Sequence, residues 1–234
     1  RMPRYFKSTM KNFLVFCTFI FAQIAFAQNV ILNKVEKVNT NSDKIFYKID
    51  PKVTSAEYLG EVEVQGFSDD DAKVFGMIYK KAKEIGANSF SFKPLETITG
   101  ENADFDALNY RLNLYYTSKE NIPEENNVVY LIASPFKKQK IAINKENVEF
   151  EPRTFKKLDL KAGENYTIST RKLLGSAIML SAQENQPVQY FQFSAFSVNS
   201  NPYGTAGINL KSGDITKLEQ SYAQFLTTIY KELK

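Results

Sequence analysis

Beyond position 17 this chain contains no cysteine, and it contains no histidine anywhere. A chain without disulfides or a structural zinc must be held by its hydrophobic core alone. Without His or a thiol it cannot assemble a Ser-His-Asp triad, a cysteine nucleophile, a zinc finger or a thiolate cluster. With 234 residues it is long enough to bury such a core, as one large or two modest domains.

The lone cysteine, Cys17, sits in an N-terminal segment of distinct composition. Residues 1–27 carry four basic groups, Arg1, Arg4, Lys7 and Lys11, and no acids. Met10-Lys11-Asn12 opens a positive stretch, Phe13 to Phe26 is largely apolar, and Ala25-Phe26-Ala27 precedes Gln28. This is the pattern of a secretory signal peptide, with cleavage expected between Ala27 and Gln28 and residues 1–9 as an upstream extension. The apolar run of 14 residues is short of the roughly 20 that span a bilayer, so no transmembrane segment is expected after cleavage. Leu14-Val15-Phe16-Cys17 has the outline of a lipoprotein box, but the bulky Phe16 is wrong for that cut. The expectation is an exported bacterial protein, periplasmic or secreted. From Gln28 onward 26 basic and 26 acidic residues balance, so the pI near 8.9 belongs largely to the leader. A nucleic-acid partner is not expected of an exported, neutral chain.

Residues 28–118 read as an α+β unit. Val30-Ile31-Leu32 and Ile45-Phe46-Tyr47 are short β-rich runs, and Leu59 to Phe67 alternates, Val62 and Val64 on one face, Glu61, Glu63 and Gln65 on the other. Ser68-Asp69-Asp70-Asp71 opens a helix, with Ser68 as cap and Asp71 as its box partner. Val74, Ile78, Ala82 and Ile85 repeat at helical spacing, Lys80, Lys81 and Lys83 crowd the negative end, and Gly86 supplies the stop. Phe90 and Phe92, then Leu108, Tyr110, Leu112, Leu114 and Tyr116, alternate as strands. The expected product is a small antiparallel sheet with one packed helix.

Residues 119–127 are polar and proline-bearing and read as a linker. From 128 to 234 short β-rich runs predict a β-sandwich with a C-terminal helix. Ile141 and Ile143 face Val148 and Phe150 across a four-residue loop, Asn144 to Asn147. Leu158 and Leu160 precede a turn at Gly163, with Tyr166 and Ile168 after it. In the closing helix Asp214 is the expected cap, and Ile215, Leu218, Tyr222, Phe225, Leu226, Ile229 and Leu233 form one stripe.

Tyr58-Leu59-Gly60-Glu61-Val62-Glu63-Val64, the capped helix, and Ala82-Lys83-Glu84-Ile85-Gly86-Ala87-Asn88-Ser89-Phe90 resemble the YbjQ-like family and its RcsF-like envelope relatives, over residues 56–93. The resemblance implies a small α+β domain in an exported protein, not a reaction. Some of those relatives are labelled metal-binding and others act in envelope stress signalling. RcsF-like proteins carry a lipid anchor and disulfides that this chain lacks beyond Cys17, so the signalling role does not transfer. The later half, around Leu160-Lys161-Ala162-Gly163-Glu164-Asn165-Tyr166-Thr167-Ile168, looks like an exported β-sandwich module of unknown function.

Three candidate chemistries emerge. Glu61 and Glu63 share a strand face about 7 Å apart, compatible with the acid pair of a glycan hydrolase. Glu101, Asn102, Asp104 and Asp106 alternate as hard-cation ligands can, without the internal glycine and distal Glu of a calcium loop. Residues 137–172 hold ten basic groups, Lys137, Lys138, Lys140, Lys145, Arg153, Lys156, Lys157, Lys161, Arg171 and Lys172, against five acids, and could contact an anionic envelope polymer. No catalytic, cofactor or metal residue is assigned from sequence. The leading expectation is a non-enzymatic binding or assembly module with an envelope protein or anionic polymer as partner. The alternatives are the hydrolase and the cation-binding domain.

Overall fold

A computed structural model of the chain describes residues 29–66, 70–170, 175–194, 211–212 and 214–234. The signal-peptide reading, Cys17, Ser68, Asp69, Arg171 and Lys172 lie outside the described residues.

The fold is α+β. Its first half contains β1 (Asn29–Val35), β2 (Tyr47–Lys48), β3 (Glu57–Gln65), α1 (Asp71–Glu84), β4 (Ser89–Lys93) and β5 (Asn109–Tyr116). They form a five-stranded sheet in the order β1-β3-β5-β4-β2. Its pairings are antiparallel except for β2, which lies parallel to β4. The alternating residues Val62, Val64, Phe90, Tyr110, Leu112 and Leu114 are buried on one face, beneath the α1 stripe of Val74, Phe75, Ile78 and Ala82. Helix α1 stops at Gly86, whose φ is +77°, and a Cβ there would stand 1.9 Å from the Asn39 carbonyl oxygen. Both the left-handed backbone and the close approach require glycine. The observed cap is Asp70, whose carboxylate accepts from the Lys73 N–H at 3.1 Å. Asp71, expected as a capping partner, turns inward and is buried.

The linker is structured. A 3₁₀ turn spans Lys119–Asn121, and Asn127, at φ +56°, is bonded on both sides. Its N–H donates to the Gln186 carbonyl at 2.7 Å, its carbonyl accepts from the Leu160 N–H at 2.7 Å, and its side chain bonds Gln183 and Gln186.

The second half holds β6 (Val128–Ile132), β7 (Gln139–Ile143), β8 (Glu146–Phe150), β9 (Thr154–Asp159), β10 (Asn165–Ser169), β11 (Ala177–Ser181), β12 (Gln189–Phe193), β13 (Lys211–Ser212), β14 (Ile215–Lys217), α2 (Gln220–Ile229) and β15 (Lys231–Glu232). They build a four-stranded sheet, β11-β10-β7-β8, and a six-stranded sheet, β13-β14-β12-β6-β9-β15. Val129, Leu131, Phe191, Phe193 and Ile215 of the larger sheet meet Ile141, Phe150, Ile168 and Leu180 of the smaller, forming the sandwich core. The expected four-residue hairpin loop is a two-residue turn. Asn144 and Lys145 both have positive φ, 47° and 72°, and Ile143 pairs with Glu146. That primed turn matches strand twist, and the register moves by two residues, leaving every side chain on its expected face. Gly163 joins strands of different sheets, carrying the chain from β9 to β10.

The C-terminal stripe divides. Ile215–Lys217 takes the edge offered by β12 as strand β14. The helix starts only at Gln220, capped by Glu219, which accepts from the N–H groups of Ser221 and Tyr222 at 2.9 and 3.2 Å. Asp214, the expected cap, instead accepts from the Ser176 N–H at 3.0 Å. Leu233 lies beyond the helix, its N–H on the Phe155 carbonyl at 2.7 Å.

Helix α2 packs into the core of the first half. Phe225, Leu226 and Ile229 join Val74, Phe75 and Ile78 in one cluster, which also takes in Ile132, Phe155 and Tyr190 from the outer face of the six-stranded sheet. Ser221 Oγ and Gln224 Oε1 accept from the backbone N–H groups of Phe46 and Lys48 at 3.0 and 2.8 Å, fastening β2 to α2. The helices thus lie between the five-stranded and six-stranded sheets. Among the described residues no helix is long and apolar enough to cross a membrane.

Candidate functional site

The alternation of β3 places Glu61 and Glu63 on the face away from the core, as the sequence predicts, but both carboxylates are already paired there. Glu61 accepts from Lys93 Nζ at 2.6 Å and Asn33 Nδ2 at 2.7 Å, with Arg111 Nε at 3.5 Å. Glu63 accepts from Gln65 Nε2 at 2.7 Å and Arg111 Nε at 2.8 Å. Burial pushes the Glu61 carboxyl up, yet the bonds from Lys93 and Asn33 and the charges of Lys93 and Arg111 outweigh it and hold it below the usual carboxylate range. The Gln65 bond, opposed by burial and helped by Arg111, lowers Glu63 as well. A hydrolase acid needs the opposite shift. The four strands β1, β3, β5 and β4 use these groups as a cross-sheet ladder.

The acidic loop does not converge either. Asp106 is turned back on its own chain, accepting from the Leu108 N–H at 2.7 Å and Asn109 Nδ2 at 2.8 Å, and Asn102 pairs with Glu96 as a β-bridge. Among the described residues no group of three His, Cys, Asp or Glu stands close enough to hold a metal ion.

One polar cluster was invisible in the sequence. Asp71 meets Arg153 Nη1 at 3.0 Å and accepts from the Tyr230 hydroxyl at 2.6 Å, while the guanidinium lies 5.7 Å from the Tyr230 ring centre. The three residues come from α1, the β8–β9 turn and the end of α2. Burial pushes Asp71 above the usual aspartate range against the pull of Tyr230 and Arg153, and drives Tyr230 well above its ordinary value. Asp71 and Tyr230 are buried and Arg153 is half-buried, and the cluster reads as a joint between the two halves.

The basic residues of 137–172 do not share one face. Arg153 is spent in the joint, and Lys157 bonds Glu125 at 2.5 Å on the helix side of the six-stranded sheet. Glu125 also accepts from the Tyr130 hydroxyl, at 2.9 and 3.1 Å, and borders a cleft of about 340 Å³ with Tyr47, Pro187, Gln220 and Gln224. Lys137, Lys138 and Lys140 stay together at the start of β7. With Asn147 and Thr170 they line an open cleft of about 520 Å³. Lys138 is steadied by Glu149 and Glu151 at 2.8 and 2.9 Å, and its hydrogen bonds to them raise its pKa. Ammonium and side-chain amide and hydroxyl donors on one concave surface suit an anionic group.

No family model, curated protein or solved structure matches this chain. What can be said of its chemistry therefore rests on these residues. Among the described residues the Lys137–Lys140 cleft is one open concave surface with three lysines, another lying along α1 at Lys73, Lys80 and Lys83, where Tyr79 and Met77 make the lining more apolar.

Proposed function

We propose that this chain is an exported bacterial envelope protein that acts as a non-enzymatic binding module and takes an anionic segment of an envelope polymer in the Lys137–Lys140 cleft. The observation that supports it is that Lys137, Lys138 and Lys140 line one open concave surface with Asn147 and Thr170, while the Glu61–Glu63 pair is held by Lys93 and Arg111. A flexible polyanion needs such a groove of donors rather than a deep pocket, and its binding weakens with salt as surface charges are screened.

Isothermal titration with polyphosphate and polygalacturonate, at low and high salt, tests the reading. Binding should weaken as salt rises, and Lys137→Glu with Lys140→Glu should reduce it by about tenfold or more, equivalent to about 1.4 kcal/mol. Equal binding by the double variant, or none by the parent chain, sinks the reading. Mass spectrometry of the exported protein, with Gln28 expected as its first residue, tests export separately.

A further inference from the structure

A sheet edge exposes a row of unpaired backbone groups, and proteins protect such edges with charge, proline or cover. Most edges here follow that rule. β1 carries Lys34, β8 carries Glu146 and Glu149, β15 consists of Lys231 and Glu232, and β2 is covered by α2. β11 is the exception among the described edge strands. Ala177-Ile178-Met179-Leu180-Ser181 has no charge and no proline, and among the described residues it pairs only with β10. Met179, at its centre, is 71% exposed.

The bonds to β10 define what the open side presents. The Thr170 N–H donates to the Ser176 carbonyl at 3.0 Å and the Ala182 N–H to the Glu164 carbonyl at 3.0 Å. Residues 176, 178, 180 and 182 thus spend their backbone groups on β10, and alternation aims those of Ala177, Met179 and Ser181 outward. An antiparallel partner must satisfy these three positions. A second copy of the same strand, related by a two-fold axis at Met179, does so: Met179 pairs with Met179, and Ala177 with Ser181. The same register sets Ile178 beside Leu180 of the other copy on the inner face, where Leu180 belongs to the sandwich core and half-buried Ile178 packs against it. The strand is therefore self-complementary in hydrogen bonding and in apolar pattern, as an isologous contact requires.

We infer that the chain forms a two-fold dimer by antiparallel pairing of β11 with β11, extending the two four-stranded sheets into one of eight strands. The formal neutrality of residues 28–234 leaves no large net charge to oppose it.

Sedimentation equilibrium of the protein over a range of concentrations should show a mass rising toward twice the monomer's. Met179→Lys puts like charges opposite one another on the axis and should weaken the dimer by about tenfold or more. Met179 is exposed, so at dilutions where both proteins are monomeric the variant should keep the parent's thermal midpoint, and unchanged circular dichroism will confirm that it folds. In a Cys17→Ser background, Met179→Cys places two thiols on a hydrogen-bonded antiparallel pair with Cα atoms about 5.5 Å apart, within disulfide reach. Mild oxidation should cross-link this variant and leave the control Val53→Cys, on an exposed turn, monomeric. A protein that stays monomeric up to its solubility limit overturns the inference. So does a dimer that survives Met179→Lys unchanged, or one in which Cys at 179 cross-links no faster than Cys at 53. Binding of β11 to a different protein, with no self-association, overturns it too.

Discussion

Glu61 on the outer face of the five-stranded sheet and Asp71 in the joint are buried almost equally, 3% and 4% exposed, yet they titrate in opposite directions. In both, burial is the largest influence and raises the pKa. Glu61 overcomes it because Lys93, Asn33 and Arg111 converge on it from three strands, their own side chains still reaching water. Asp71 has one guanidinium and one neutral phenol, which leave the desolvation cost only partly offset. Accessible surface alone therefore does not decide the charge state of a carboxylate. Asp71 lies deeper in the protein than Glu61 and so carries the larger desolvation cost, and it has fewer cationic partners to offset that cost. One site is a ladder that secures a sheet, and the other is a joint between halves.

The joint should be the more costly to break. Asp71→Ala takes the carboxylate away from Arg153, whose side chain is 19% exposed, and from the Tyr230 hydroxyl, and should destabilise the protein by an amount toward the lower end of about 3–5 kcal/mol in urea unfolding. Tyr230→Phe removes one hydrogen bond to the carboxylate while keeping the ring packing, and should cost about 1.5–3 kcal/mol by the same measurement. The two sites should also separate by pH. Asp71 holds its proton more tightly when folded, so its contribution to stability falls as pH rises from the ordinary aspartate value, about 3.9, through its raised folded value. Glu61 is lowered on folding, so its contribution is complete above the ordinary glutamate value, about 4.3, and is lost as pH falls through its folded value. Thermal midpoints followed across acid pH should show Asp71→Asn flattening the upper part of the profile and Glu61→Gln the lower. The smallest effect belongs to Lys93→Met. Its side chain is 34% exposed, so solvent screening limits the loss to less than about 1 kcal/mol. A larger loss there than at Asp71 would reverse the comparison.

Much of the first half was legible because its signals are local. Alternation along β3 and β5 separated Val62 and Leu112 from Glu61 and Arg111, and the stripe from Val74 to Ala82 with Gly86 after it marked one amphipathic helix and its stop. The Glu61–Glu63 pair was visible as a pair, but its partners were not, since Asn33, Lys93 and Arg111 meet it only through pairing across four strands. The joint was missed entirely. Asp71 looked like a helix-start acid and Arg153 like one of ten surface cations, and no short-range pattern connects residues 71, 153 and 230. For the cleft, the run from Lys137 to Lys140 was readable, but which of the ten basic residues share a surface was not.

By itself the sequence determined the classes of element, the alternating faces, the α+β composition and the exclusion of cysteine and histidine chemistry beyond Cys17. These depend on residue type and on spacing within a few positions. Tertiary structure decided that Ile215–Lys217 pairs as a strand instead of extending the helix, because β12 offered unpaired backbone groups that a strand satisfies and a helix would leave bare. It also decided that the last helix completes the core of the first half. Neither half's apolar faces could be buried by its own elements alone, and the free energy of covering them is won by contacts between residues more than a hundred positions apart.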